Sequence, residues 1–308
     1  MKKSVSLAAL FVALPISSAI AADLPSKKEP VPAPVVMPVW AGGYVGLNAG
    51  ATFGNNSAPH AQTWNVSQPV SNAGNALTAM LSGSGMGNAG NAGFIGGGQI
   101  GYNWQAAYRG YTFITGMEAD IQGVAGSGGN ASRWTTVNTD YQGQPVTLLS
   151  NQKGAANMSY IGTVRGRVGI AVMPTLMIYG TGGLAYGGVN ANVQNTQYWV
   201  TTGGPKAGYN SVILGGNSYS NTQVGWTAGG GLEWMFMPNW SAKAEYLYYD
   251  LGKVSGSSVN NYYGTGGFTG NAGMQNVTNY TARASGNIAR LGVNYHLNLA
   301  SAPVIAKF

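Results

Sequence analysis

The chain has 308 residues, of which 7% are Asp, Glu, Lys or Arg, 11% are aromatic, 49 are glycine and none is cysteine. A soluble domain carries about 25% charged residues, so the composition argues against a water-facing globule, and the missing cysteine excludes a disulfide framework, a thiolate metal site, a cysteine nucleophile and an acylated lipoprotein anchor. The formal charge of +7 falls to +5 once Lys2 and Lys3 leave with a leader, with 13 basic against 8 acidic residues remaining, which predicts no nucleic-acid partner.

Met1-Lys2-Lys3 is a positive n-region, the apolar run over 4–16 is too short to span a bilayer, and Ala19-Ile20-Ala21 fits a small-x-small cleavage site. Residues 1–21 are therefore expected to be an export signal peptide. Prolines at 30, 32, 34 and 38 make the next stretch, 22–41, an extended tether rather than a domain. From 42 onward no segment offers 18 continuous apolar residues, which excludes helical membrane spans, while period-2 alternation recurs. Eight segments carry it: 42–53, 93–105, 111–124, 158–172, 176–189, 223–236, 240–253 and 286–297. Their connections alternate between about 32–39 residues and about 3–5, so long and short ones segregate to opposite ends. Tyr108-Arg109-Gly110, Met173-Pro174-Thr175 and Met237-Pro238-Asn239 supply turn chemistry for the short ones. This is the plan of an all-β protein, an eight-stranded antiparallel up-and-down transmembrane β-barrel with four long extracellular loops and three short periplasmic turns, spanning 42–297 and followed by a tail, 298–308.

Charge orients the faces. Glu118, Asp120, Arg165, Arg167, Glu233, Lys243, Glu245 and Arg290 all fall on the strand face opposite the apolar one. A lipocalin-like barrel would turn that face to water, and periodicity alone does not distinguish the two arrangements. Eight charges are too few to coat a water-facing barrel, and an Arg turned into lipid near the midplane costs about 2–4 kcal/mol. The charges are therefore expected inside, four acids against four bases in a salt-bridged, largely closed lumen, because eight strands leave room for little more than side chains. Aromatic residues gather near strand ends: Trp40, Tyr44, Trp104, Tyr111, Phe236, Trp240 and Tyr295 toward the short turns, Phe53, Tyr160, Tyr186, Trp226 and Tyr248 toward the long loops. Two interfacial girdles would use them.

The run Gly225-Trp226-Thr227-Ala228-Gly229-Gly230-Gly231-Leu232-Glu233-Trp234, then Pro238-Asn239-Trp240-Ser241-Ala242-Lys243-Ala244-Glu245-Tyr246-Leu247-Tyr248-Tyr249-Asp250-Leu251-Gly252, resembles the last hairpin of small outer-membrane barrels of alpha-proteobacteria, the porin-family, opacity-like, Omp25/RopB-like group. Ala22-Asp23-Leu24-Pro25, Trp40-Ala41-Gly42-Gly43-Tyr44-Val45-Gly46 and Ala302-Pro303-Val304-Ile305-Ala306-Lys307-Phe308 are similar to the same group. The resemblance covers the termini and strands, not the long loops. It implies an OmpA-like surface barrel in the outer membrane of a Gram-negative bacterium, with periplasmic termini, lipid and lipopolysaccharide around it, and an immunogenic, membrane-stabilising, adhesive or hemin-binding role. It also implies that a C-terminal aromatic, here Phe308, signals to the outer-membrane assembly machinery, although Tyr295 and Leu297 end the last strand.

Sharper chemistry finds little footing. Gly96-Gly97-Gly98-Gln99-Ile100-Gly101 spells G-x-G-x-x-G, but Tyr102-Asn103-Trp104 continue a strand, so the amides serve a ladder rather than a pyrophosphate. The two histidines, His60 and His296, belong to opposite ends, which predicts no catalytic rim, no metal centre and no cofactor. A loop receptor for hemin or a host partner is the alternative function, through His60, Trp64, Met80, Met86, Trp134, Tyr141, Tyr198, Trp199, Tyr262 and Tyr263. A small diffusion porin is the second alternative.

Overall fold

The computed structural model describes residues 40–54, 60–65, 72–83, 92–126, 129–141, 143–203, 210–264 and 275–297. The expected signal peptide 1–21, the tether 22–41 up to residue 39, and the tail 298–308 with Phe308 lie outside them. Every described residue belongs to one compact unit, Met37–Phe308.

Ten strands and one helix follow in order: β1 (Gly42–Gly54), β2 (His60–Asn65), α1 (Asn72–Gly83), β3 (Ala92–Tyr108), β4 (Tyr111–Ala125), β5 (Gly129–Tyr141), β6 (Gln144–Met173), β7 (Leu176–Thr201), β8 (Asn210–Met237), β9 (Trp240–Gly264) and β10 (Gln275–Leu297). All belong to one antiparallel sheet, along the path β1-β3-β4-β6-β7-β8-β9-β10. β1 pairs with β10 as well as with β3, from Gly43↔Leu297 to Gly54↔Gly286, so the sheet closes on itself. Closure leaves that stretch without a free edge to template aggregation.

Short turns join the strands at one end. Arg109 and Gly110 both hold positive φ, 50° and 84°, the combination that matches the twist of a two-residue hairpin. Pro174 and Pro238 cannot adopt positive φ, and each of their turns adjoins a register shift, between Ala171 and Met173 and between Met235 and Met237. A bulge restores the strand twist that an unprimed turn would lose.

At the other end the strands run further than the hydrophobic alternation predicts. Residues 144–157, 190–201, 210–222, 254–264 and 275–285, expected as loop, are strand. Their inward positions mix amides and hydroxyls with apolar groups such as Val146, Leu148, Trp199 and Ile213, so a hydrophobicity pattern registers the alternation only in part. Asn195 Nδ2 donates to Asn260 Oδ1 at 3.0 Å, Asn260 Nδ2 to Thr278 Oγ1 at 3.1 Å, and the hydroxyls of Thr278 and Thr63 meet at 2.9 Å. β5 pairs only with β6 and β2 only with β10, leaving a seam between β5 and β2 that no ladder crosses. Helix α1 lies against both edges. The Ser82 hydroxyl accepts from the Thr63 N–H at 2.8 Å and donates to the Thr63 carbonyl at 3.2 Å, standing in for a neighbouring strand. Met80 packs with Val146, Leu148, Trp199 and Ile213. Ala76 and Met80 are four apart, the helical spacing that a search for period 2 passes over.

Two of the expected interfacial aromatics are inside. Trp40 and Tyr44 are 1% and 0% exposed. Tyr44 sits on the inward parity of β1 with Asn48 and Thr52, and its ring fills the space over Gly101, where a Cβ would come within 2.3 Å of it. Trp40 precedes the strand and folds beneath the sheet, its N–H accepted by Gln105 at 2.9 Å and its indole N–H by the Pro174 carbonyl at 3.1 Å. Position near a strand end was the wrong criterion; parity decides. Trp104, Tyr111, Phe236, Trp240 and Tyr295 near the turns, and Phe53 and Trp226 toward the other end, are exposed on the outer face, while Tyr160, Tyr186 and Tyr248 are half-buried. Tyr186 covers Gly162 and Tyr160 covers Gly188, aromatic rings replacing the side chains that strand glycines lack.

Candidate functional site: a charge cluster inside the barrel

Alternation turns Glu118 and Asp120 of β4, Arg165 and Arg167 of β6, Glu233 of β8, Lys243 and Glu245 of β9 and Arg290 of β10 to the interior, where all are buried. The register sets three pairs of opposite charges directly across from one another: Glu118↔Arg165, Glu233↔Lys243 and Glu245↔Arg290. Such cross-strand pairs are the unit of sheet specificity.

The side chains form one connected cluster. Arg165 reaches Glu118 at 2.5 Å, Asp120 at 3.0 Å and Glu245 at 2.9 Å. Arg290 reaches Glu245 at 2.5 Å and Asp120 at 2.8 Å. Lys243 Nζ donates to both oxygens of Glu118, at 2.8 and 2.9 Å. Arg167 pairs with Glu233 at 3.1 Å, donates Nε to Asn103 Oδ1 at 2.9 Å and lies between the Tyr44 and Tyr179 rings, 5.0 and 5.1 Å from their centroids. Four carboxylates meet four cations, so the cluster has no formal charge. Charges taken out of water need such pairing, because desolvation otherwise outweighs the Coulomb gain; the hydrogen bonding is nearly but not fully complete, since Arg167 Nη2 and Arg290 Nη1 are buried without an acceptor.

Uncharged groups extend the shell. Tyr44 donates to Glu118 at 2.7 Å, Tyr179 to Glu245 at 3.1 Å and Thr163 to Asp120 at 2.8 Å. Ser241 and Asn294 donate to one oxygen of Glu233 at 2.5 and 2.7 Å, and His296 Nε2 stands 2.9 Å from the Ser241 hydroxyl. None of these partners belonged to the expected set, which was chosen by charge; the signal that finds them is polarity at inward parity. The cluster lies between apolar groups. Trp40, Ile114, Met177, Tyr179 and Met235 pack on the turn side, and Ile95, Ile161, Ala185, Leu247, Tyr249, Leu251 and Ile288 on the other.

No family model matches the chain. Two curated relatives do: the 31 kDa outer-membrane immunogenic proteins of Brucella melitensis and Brucella suis are each 34% identical over 265 residues, covering 85% of this chain and 92% of theirs. The chain belongs to their family. It is thus an outer-membrane protein of the Omp25 group. Among solved structures, outer-membrane protein OprG of Pseudomonas aeruginosa is similar over 83% of this chain and 98% of its own, at 10% identity and a TM-score of 0.35. Neisserial surface protein A is similar over the same shares at 11% identity and a TM-score of 0.29. Likenesses that loose carry no argument, and the closed sheet rests on this chain's own pairing.

The loop residues considered for hemin or a partner scatter within this Omp25-group chain. Met80 and Trp199 are buried in the cluster under α1, whereas Trp64 and Trp134 are exposed. Trp134 stacks on Tyr198, with ring centroids 6.4 Å apart. Met86 and the side chains of His60, Tyr141, Tyr262 and Tyr263 lie outside the described residues.

Proposed function

We propose that the protein is a structural surface barrel of the outer membrane, eight transmembrane strands around a lumen sealed by its own side chains, serving envelope integrity and presenting its long end as surface antigen. The observation that carries this reading is the neutral ion-pair cluster between two apolar groups. A conducting pore needs a wetted, weakly binding path, and this interior offers packed apolar groups on both sides of charges that neutralise one another.

The outer surface supports the membrane half of the reading. Leu47, Ile100, Val168, Leu184, Val224 and Leu291 are among the exposed apolar residues, and every charge of the cluster points the other way. Trp104, Tyr111, Phe236, Trp240 and Tyr295 would form the periplasmic girdle with the short turns and the termini, and Phe53, Trp226 and Tyr248 the outer one, facing lipid and lipopolysaccharide. Phe308 would serve the assembly machinery. The test is planar-bilayer conductance of refolded mature protein whose barrel is verified by heat-modifiable gel migration. A silent folded barrel is the expected result; ohmic steps that shift in Glu233→Gln would make it a porin.

A further inference from the structure

Besides the seam that α1 covers, the sheet among the described residues has an interruption that the closed-lumen reading leaves unused. Between Trp226↔Asp250 and Gly215↔Asn260, β8 and β9 do not pair. β8 stays paired with β7 through this stretch and β9 with β10, so both strands persist; the backbone ladder between them is missing, and a side-chain bond from Asn217 Nδ2 to the Ser257 carbonyl crosses in its place. The cause is local. Leu251 and Gly252 together oppose the single residue Ala284 of β10, and Gly252 holds φ at 83°. A bulge with a left-handed glycine bends its strand and strengthens the local twist, which carries β9 away from β8 until Asn260. The Asp250 carboxylate locks the bend, accepting from the Gly252 N–H at 2.9 Å and from the Arg283 guanidinium.

The consequence is visible in exposure. Odd positions of β8 face inward, and Ile213, Thr227 and Glu233 are buried accordingly, yet Asn217 and Asn221 on the same parity are exposed. Solvent therefore reaches the inward parity of β8 there, and the Asn217 amide spans the gap as a side-chain bridge to the Ser257 carbonyl. Leu251 and Val254 of β9 lie buried at the gap, Leu251 within the apolar group that Met158 and Val189 also join. Toward the upper end Ser258 Oγ and Asn195 Oδ1 are buried without a hydrogen-bond partner, a condition that is unfavourable unless something supplies one. The nearest charges are Asp250 and Arg283, which satisfy each other, and Lys253, which is exposed.

We propose that this notch is a lateral binding site for an uncharged, single-chain amphipath entering from the outer leaflet, its acyl chain against Leu251 and Val254 and its hydroxyl or amide head on Ser258 and Asn195. The lower lip explains the direction of entry. Trp226 and Tyr248, with ring centroids 5.3 Å apart, stand on the outer face where the membrane reading puts the outer interface, so the opening begins where acyl chains meet head groups. The absence of a free charge among the described inward groups explains the neutral head, since a carboxylate brought to Ser258 would be desolvated without a counter-ion. The orientation rests on the outer-membrane reading; the gap, the apolar floor and the two unpartnered groups do not.

The test is photo-crosslinking of the refolded full mature chain in nanodiscs preloaded with a diazirine-bearing dodecan-1-ol, followed by peptide mapping. The expected label falls on 216–225 and 251–259, saturates, and is displaced by dodecan-1-ol at least tenfold better than by dodecanoate. Asn221→Trp, which fills the opening from an exposed position, should lower it at least tenfold. Should that variant not form a barrel, Ser258→Ala decides: the advantage of dodecan-1-ol over dodecane as competitor should fall threefold or more. Label confined to the lipid-facing peptides, equal competition by dodecanoate, or indifference to these substitutions overturns the notch. A wild-type chain without heat-modifiable migration in the same nanodiscs overturns the membrane-barrel reading on which the direction of entry rests.

Discussion

Glu118 meets more cations than any other carboxylate of the cluster, with Arg165, Arg167, Lys243 and Arg290 all within 4.0 Å. Neutralising it strands positive charge in a buried setting, where loss of one partner costs about 3–5 kcal/mol. Glu118→Gln is therefore expected to lower the stability of the refolded barrel by that amount in urea titrations, and Glu118→Gln with Lys243→Met to recover part of it. Arg283 pairs with Asp250 too, but its side chain is 56% exposed, so Arg283→Ala should shift the same midpoint far less. Glycine acts by a different route. Gly101→Ala would force a Cβ to 2.3 Å from the Tyr44 ring and push its hydroxyl off Glu118, an overpacking cost of about 1–3 kcal/mol that the same titration would show.

Elements differ in what holds them. β1, β3 and β4 are laddered on both sides along the stretch that closes the ring, whereas β8 and β9 each lose one side above the Gly252 bulge. Hydrogen exchange reads this directly: alternate amides within 216–225 and 251–259 should exchange faster than those of β7, which is laddered on both sides along its length apart from two bulges in β6. Gly252 has open space around it, but its positive φ would cost an L-residue about 1–2 kcal/mol. Gly252→Ala should consequently relax the bend and slow exchange across the gap, at the expense of the Asp250 lock. Helix α1 is held by side chains rather than by a ladder. Met80→Ala opens the apolar contact with Trp199 and Ile213 and should speed proteolytic nicking within 72–83 while leaving heat-modifiable migration unchanged.

At the scale of the molecule, the interior is layered: an apolar floor at Trp40, the ion pairs, an apolar belt, then amides and hydroxyls together with the apolar group that α1 covers. A layered interior predicts that salt has little effect on the cluster, since screening reaches buried pairs poorly. Urea midpoints measured at 0.05 M and 1 M NaCl should therefore nearly coincide for the wild type, and a strong salt dependence would place the charges in water.

Much of this was legible in the chain. A two-residue period fixes which residues share a face, so Glu118, Arg165, Glu245 and Arg290 could be placed together before any coordinates, and Pro174, Pro238 and Gly110 announce turns because proline lacks a donor and glycine tolerates positive φ. Family membership, too, follows from residues alone. Tertiary structure decided the rest. Which carboxylate meets which cation depends on the register of strands as distant as β4 and β10; Tyr44 and Trp40 went inward because of parity and a fold beneath the sheet; the long strand extensions, the helix in the seam and the gap at Gly252 depend on amides, hydroxyls and one bulge. Periodicity is local and survives in the sequence, whereas closure, register and splaying arise only when distant segments compete for the same backbone partners.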